Sequence, residues 1–495
     1  SALEEHLRGH PYVDPLTNQR SRSKLVFTPN RGLKTAIEMW LRQGDDEDHR
    51  TKRNDRRDAA EAAAALPPLV AKLTSGTAEK KEEAAAALQL LAFDSANDAA
   101  IRAAGAIPPL VALLTSGTAP AKEKAAAALR SLAVDAENHA AILAAGAIPP
   151  LVTMLTSGTD DGKVKAAAAL QNLACSSENK AAIAAAGAIP PLVALLTSGS
   201  AEAKEKAAGM LRDVACDNSE NQTAIAAAGA IPPLVAMLTS GTDDGKVKAA
   251  AALQNLACSS ENKTAIAAAI AVADAIPPLV ALLTSGSAEA KEKAAGMLRD
   301  VAFDNPENKT AIAAAGAIPP LVTMLASGTD DGKVKAAAAL LNLTVSPENQ
   351  ATVAAAGAIP PLVAMLTSGT DDGKVKAATA LANLALRSPD NRTAIAAAGA
   401  IPPLVTLLTS GSAKAKERAA ETLKRLAYNA SIKTAITAAG AIPPLVALLS
   451  VSGNKVRYLA AGVLRDLASD NSENRTATVA AGAIPPLVAM LTSGT

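Results

Sequence analysis

Three cysteines, Cys175, Cys216 and Cys258, and four histidines, His6, His10, His49 and His139, are the side chains best suited to nucleophilic or metal chemistry in this chain. The histidines are scattered, and no spacing among these residues reads as a zinc site. No nucleophile–base–acid grouping and no phosphate-binding loop stands out, so neither a catalytic residue nor a cofactor is expected. What does recur is a column of cations: Lys124, Lys165, Lys206, Lys248, Lys293, Lys335, Lys376 and Arg418. Such a ladder favours an acidic, extended partner. A solvated charged face is the other reading, with Asp160-Asp161 and Asp243-Asp244 close enough to neutralise lysines. With 48 basic and 47 acidic residues, the chain has no global drive toward nucleic acid. At 1% aromatic residues it also lacks the stacking platforms that single strands require.

A repeat must position that column. The tetrapeptide Pro-Pro-Leu-Val recurs with its first proline at 67, 108, 149, 190, 232, 277, 319, 360, 402, 443 and 485. A period of this size marks stacked supersecondary units, so residues 67–495 form one continuous array. Within a unit, Glu178 to Ala186 reads as a short Ala-rich helix ended by Gly187. A second helix follows, with Pro190 and Pro191 in its first turn, where the missing N–H groups cost least. Leu192, Val193, Leu195 and Leu196 are its apolar body, and Gly199 stops it. A third, longer helix starts near Ser200 and carries Ala207, Ala208, Met210, Leu211, Val214 and Ala215 at helical spacing. No strand pattern occurs, and the expected fold is all-α, stabilised by stacking between neighbours.

The cysteines share one slot of this unit, which other repeats fill with Phe93, Val134, Phe303, Val345, Leu386, Tyr428 or Ser469. That mixture predicts an apolar packing position. Stacked helices lie roughly 8–10 Å apart, beyond the reach of about 7 Å between Cα atoms that a disulfide needs. The thiols are therefore expected to be structural and to suit a reducing compartment, cytoplasmic and/or nuclear. The uncharged stretch Ala181–Ala201 approaches the length of a membrane span, but Gly187, Pro190, Pro191 and Gly199 interrupt it, so no span is expected.

The unit closely resembles the armadillo repeat, through its three helices, its Gly-Ala-Ile-Pro-Pro-Leu-Val entry and the Asn-Leu-Ala ending of its third helix. The resemblance implies an α solenoid, a right-handed armadillo superhelix of about ten repeats, whose third helices line a concave groove. It also implies that an asparagine on each third helix grips the main chain of an extended peptide. The matching positions are Leu90, Ser131, Asn172, Asp213, Asn255, Asp300, Asn342, Asn383, Arg425 and Asp466. Import receptors of the family carry a tryptophan four residues earlier; here Ala168 and Ala251 stand there, so binding of nuclear-localisation signals is not expected. The cation column lies seven residues before the slot, two turns away on the same face. One repeat is irregular: 269–276 read Ala-Ile-Ala-Val-Ala-Asp-Ala-Ile, four residues longer and without the glycine, which predicts a changed turn before Pro277.

Residues 1–43 lie outside the repeat and hold Tyr12, Phe27 and Trp40. Ala2-Leu3-Glu4-Glu5-His6-Leu7, Asp14-Pro15-Leu16-Thr17, Pro29-Asn30 and an amphipathic helix from Leu33 to Leu41 resemble the second half of a U-box. That resemblance implies a ubiquitin ligase that docks a charged E2 enzyme and performs no covalent step itself. It assigns E2 contact to Pro15 and Thr17 and loop support to Asn30. The family's first half would precede Ser1, so the chain is read as a fragment of a longer product, its last repeat stopping after the second helix. A helical cap for the solenoid is the alternative for 1–43. Residues 44–66 read as a charged linker and capping helix. The expected function is thus a substrate-recruiting armadillo array of a U-box ligase, or else a non-catalytic scaffold.

Overall fold

The computed structural model describes residues 64–492 apart from 452 and 470. The segment that resembles a U-box, with Pro15, Thr17 and Asn30, and nearly all of the charged segment 44–66 lie outside the described residues.

Three helices per repeat form where the punctuation residues place them. The first, Ser177–Ala185, starts at Ser176, whose hydroxyl accepts from the amide of Asn179. It ends where Gly187 takes φ +82°. There the Gly187 amide donates to Ala184 O at 2.9 Å and the Ala188 amide to Ile183 O at 3.3 Å. The second helix, Ile189–Ser198, has its prolines in the first turn and stops at Gly199 in extended backbone. Ser200 then caps the third helix, Ala201–Ala215, accepting from the Ala203 amide. These boundaries fall within a residue or so of the expected ones. Among the described residues the chain is all-helical, without strands.

Each helix buries one face. The first contributes mainly Ile183, and the second Ile189, Leu192, Leu195 and Leu196. The third contributes Ala203, Ala207, Ala208, Met210, Leu211, Val214 and Ala215. The apolar core is continuous from Leu66 to Ala483, so no repeat owns a core of its own. Successive third helices pack along their length, whereas successive second helices touch at few points. The third helices therefore form the more tightly stacked layer, and alanines at most of their buried positions permit that close approach.

The irregular repeat keeps its turn. Its first helix, Ser260–Val272, is longer by four residues than Ser177–Ala185 or Ser219–Ala227. Four residues are close to one helical turn of 3.6, so the same face still points inward and both Ile266 and Ile270 are buried. Asp274, at φ +49°, takes the left-handed position that Gly187, Gly229 and Gly316 fill elsewhere. The Ala275 amide donates to Ile270 O at 3.1 Å, as Ala188 does to Ile183. The change of turn expected before Pro277 is therefore absent, because the extra residues enter the helix rather than the loop.

Among the described residues no single helix is long and apolar enough to cross a membrane. Pairs of first and second helices reach that length together, but they bend by 77° to 90° at the Gly-Ala-Ile-Pro turn or its Asp274 counterpart.

Candidate functional site

The half-buried asparagines of the third helices are fixed by bonds between repeats. Asn172, Asn255 and Asn342 each donate a side-chain N–H to a main-chain carbonyl of the preceding third helix, that of Arg130, Arg212 and Arg299, at 2.8, 2.9 and 2.9 Å. Each of these bonds uses one amide donor. The amide oxygen and second N–H are the groups through which such a residue can bind an extended main chain. Asn383 differs: it donates to Thr344 Oγ1 at 3.3 Å and accepts from Arg425 Nη1 at 3.3 Å.

The cation column divides into two kinds of rung. Lys165, Lys248, Lys335 and Lys376 pair with Asp161, Asp244, Asp331 and Asp372, one turn earlier on their own helices. Arg418 pairs with Glu421 at 2.6 Å. Lys124, Lys206 and Lys293 have no ion pair among the described residues. Their helices begin Ala-Pro-Ala or Ala-Glu-Ala instead of Asp-Asp-Gly. In the slot itself Asp213 and Asp300 are held by Arg212 and Arg299, at 2.7 Å and 2.8 Å. Five of the eight rungs are thus neutralised within the chain, and free positive charge remains at the other three.

Contrary to expectation, the slot shared by the cysteines is not a packing position. Phe93, Val134, Phe303, Val345, Leu386 and Tyr428 are 44–78% exposed, and Cys175 and Cys258 are exposed as well. The slot lies past the last buried turn of the third helix, where the chain leaves the stack toward the next first helix. Several of its occupants are met by a side chain from the first helix of their own repeat. Lys263 lies over the Phe303 ring at 4.5 Å and Arg392 over the Tyr428 ring at 5.1 Å. Lys180 donates to Cys216 O at 3.1 Å, and His139 stands 3.6 Å from Cys175 Sγ.

These columns converge near the N-terminal end of the array. Phe93, Arg130, Val134, Gln171, Asn172 and Lys206 line an open cavity of about 390 Å³ spanning four third-helix repeats. It joins an available asparagine, two cations with no ion pair among the described residues and exposed apolar side chains. At its edge Asp98 is buried, with one carboxylate oxygen lacking any hydrogen bond. Burial first, and then the neighbouring carboxylates Asp135 and Asp94, push its pKa up from the ordinary aspartate value.

Two features of this surface were missed by reading the repeats one at a time. Gln171 donates to Asp213 at 2.8 Å and Gln254 to Lys293 O at 3.0 Å, each reaching across a repeat boundary. Both lie over a glycine of the next third helix, Gly209 or Gly296, where a Cβ would crowd the glutamine amide. That Gln-then-Gly order is visible in the sequence only when adjacent repeats are compared. Similarly, the capping threonines Thr159, Thr242 and Thr329 donate to Glu123, Glu205 and Glu292 of the preceding third helix.

A family model described as "Armadillo/beta-catenin-like repeat" matches residues 94–134, 135–175, 176–214, 218–258, 305–345, 346–386 and 388–428. The internal gap, 259–304, contains the repeat with the longer first helix. A crystal structure titled as an engineered protein is 35% identical, covering 82% of this chain and 99% of its own, with a TM-score of 0.69. No curated protein matches the chain.

Proposed function

Since the chain belongs to the armadillo/β-catenin-like repeat family, we propose that its third-helix face holds an extended segment of a partner protein, and that an acidic segment is preferred. The observation that carries this reading is the cavity at Phe93, Arg130, Val134, Asn172 and Lys206. There an asparagine can bind main chain, two cations can meet carboxylates and an exposed apolar pair can take a hydrophobic side chain. Asparagines at 255, 342 and 383 extend the same line. The test is selection of peptides from a random library displayed against the chain. Enrichment of sequences mixing acidic and apolar residues, with binding that weakens as salt rises, supports the reading. Enrichment of basic peptides, or binding indifferent to salt, refutes the acidic preference.

The second part of the proposal rests on the U-box resemblance of residues 1–43. In it the array recruits a substrate, an E2 enzyme docks through Pro15 and Thr17, and ubiquitin passes from the E2 without a covalent intermediate on this chain. A reducing cytoplasm or nucleus suits its free thiols at 175, 216 and 258. Auto-ubiquitination by the protein as its gene encodes it, with a panel of E2 enzymes, tests this part. Activity lost in Pro15→Ala supports the ligase. Inactivity with every E2 leaves the non-catalytic scaffold.

A further inference from the structure

One first-helix position carries a side-chain N–H in every repeat from His139 onward, but in the repeat before them it is Asp98. Many of those donors have a common task. Gln222 and Gln350 donate to the carbonyls of Ala215 and Thr344, each at 3.0 Å, and Arg392 Nε donates to Ala385 O at 2.8 Å. Arg475 donates to Ala468 O at 3.3 Å. Each of these carbonyls lies at the end of the preceding third helix, where orphan acceptors and the negative end of the helix dipole favour a cation or an N–H. Asp98 reverses the arrangement at the end of the helix Ala78–Leu91. Asn97 donates there to Leu91 O at 3.1 Å, but the carbonyl of Ala92, the counterpart of Thr344, accepts from no side chain among the described residues.

A carboxylate on a short stem also leaves space where a longer donor would lie. Ala92, Phe93, Ser95 and Asp98 all line the cavity of about 390 Å³ that Arg130 and Lys206 share. Asp98 is only 7% exposed, and its Oδ1 is buried without a hydrogen-bond partner. Burial first, then Asp135 and Asp94, raise its pKa; Arg102 opposes them but is itself paired with Asp135 at 3.2 Å and with Glu137. A buried acceptor left unpaired is costly, so a donor that reaches Asp98 gains more than it would in an exposed pair. A cation in this space would also meet the exposed Phe93 ring, as Lys263 meets Phe303.

We propose that the cavity takes one basic side chain of the partner segment, a lysine or arginine, at Asp98, so that the partner supplies the donor that later repeats build in. The inference rests on the reading that an acidic segment lies on the third-helix face, and it gives that segment a signature. Arg130 and Lys206 hold acidic residues, and a single cation among them reaches Asp98.

The test titrates the whole chain at low salt with short fluorescent peptides of Glu and Leu that carry Lys or Met at one central position. The Lys peptide should bind about fivefold tighter than the Met peptide, although its net charge suits a basic surface less. Asp98→Asn should erase that preference without weakening the Met peptide. Asp98→Lys, which installs the residue found at Lys180, should make the Met peptide the tighter binder. Lys206→Ala should weaken both peptides alike. If neither peptide binds the wild type, the acidic-segment reading fails and the cation site falls with it. If both bind equally, or Asp98→Asn keeps the preference, the acidic segment stands and the cation site is overturned. Equal binding with a lower melting temperature in Asp98→Asn assigns Asp98 to a basic residue of this chain itself, which overturns the proposal as well.

Discussion

Replacing Asp274 by glycine should strengthen the one repeat whose turn departs from the pattern. Asp274 sits at φ +49°, in a turn where nine other repeats of the described chain have glycine at positive φ. Holding an L-residue in the left-handed region costs about 1–2 kcal/mol, at the low end for aspartate. Glycine returns part of that gain through its larger unfolded-state entropy, about 0.5–1 kcal/mol. The net stabilisation is then at most about 0.5 kcal/mol, local to residues 260–285 because a solenoid's energetics are nearest-neighbour. The reverse change can be made next door. Gly316, at φ +78°, has nothing within 4 Å of a Cβ, so Gly316→Asp tests backbone strain without a clash. Native-state hydrogen exchange is the assay: amides of 266–276 should be protected up to about twofold more in Asp274→Gly. Amides of 312–318 should lose about as much in Gly316→Asp. If Asp274→Gly leaves exchange unchanged or faster while Gly316→Asp slows it, the strain argument is wrong.

Asp98 gives a pH-dependent prediction. Its pKa is raised in the folded state, so the native protein holds that proton more tightly than the unfolded chain. Stability from this group is full below the ordinary aspartate pKa and falls as pH rises through the raised value. Asp98→Asn should therefore be more stable than the wild type at neutral pH, with the advantage vanishing in acid; thermal melts across pH check this. Lys206→Ala and Lys293→Ala should each weaken an acidic peptide about two- to fivefold at low salt, up to about 1 kcal/mol. Lys165→Ala should change little, since Asp161 already pairs with it; fluorescence titration against salt separates the two. Val134→Ser should alter stability by no more than about 0.5 kcal/mol, as for an exposed site. A melting shift worth several times that would restore the buried-slot reading.

Why the array was legible and its surface was not follows from how each is encoded. Helix ends are local: Gly187, Pro190 and Ser200 dictate them whatever the neighbours do, and the observed ends follow. The slot at Cys175 misled because Phe, Val and Leu there suggested burial. Its position beyond the last packed turn, near Ala174, outweighs the preference of those side chains for the interior. The cation column was visible, yet its effective charge was not. Lys165 and Lys206 read alike until Asp161 is seen to meet one, while Glu202 stays apart from the other. The turn at Asp274 was misjudged for a geometric reason, since four inserted residues nearly complete a helical turn.

The most direct test of the central claim maps where a selected peptide lies on the array. Hydrogen exchange of the chain with and without that peptide should show protection at the C-terminal turns of successive third helices, around Asn172, Asn255 and Asn342. The second helices, including Pro149 to Met154, should be unaffected. Protection confined to the second helices, or none on the third-helix face at saturating peptide, would contradict it.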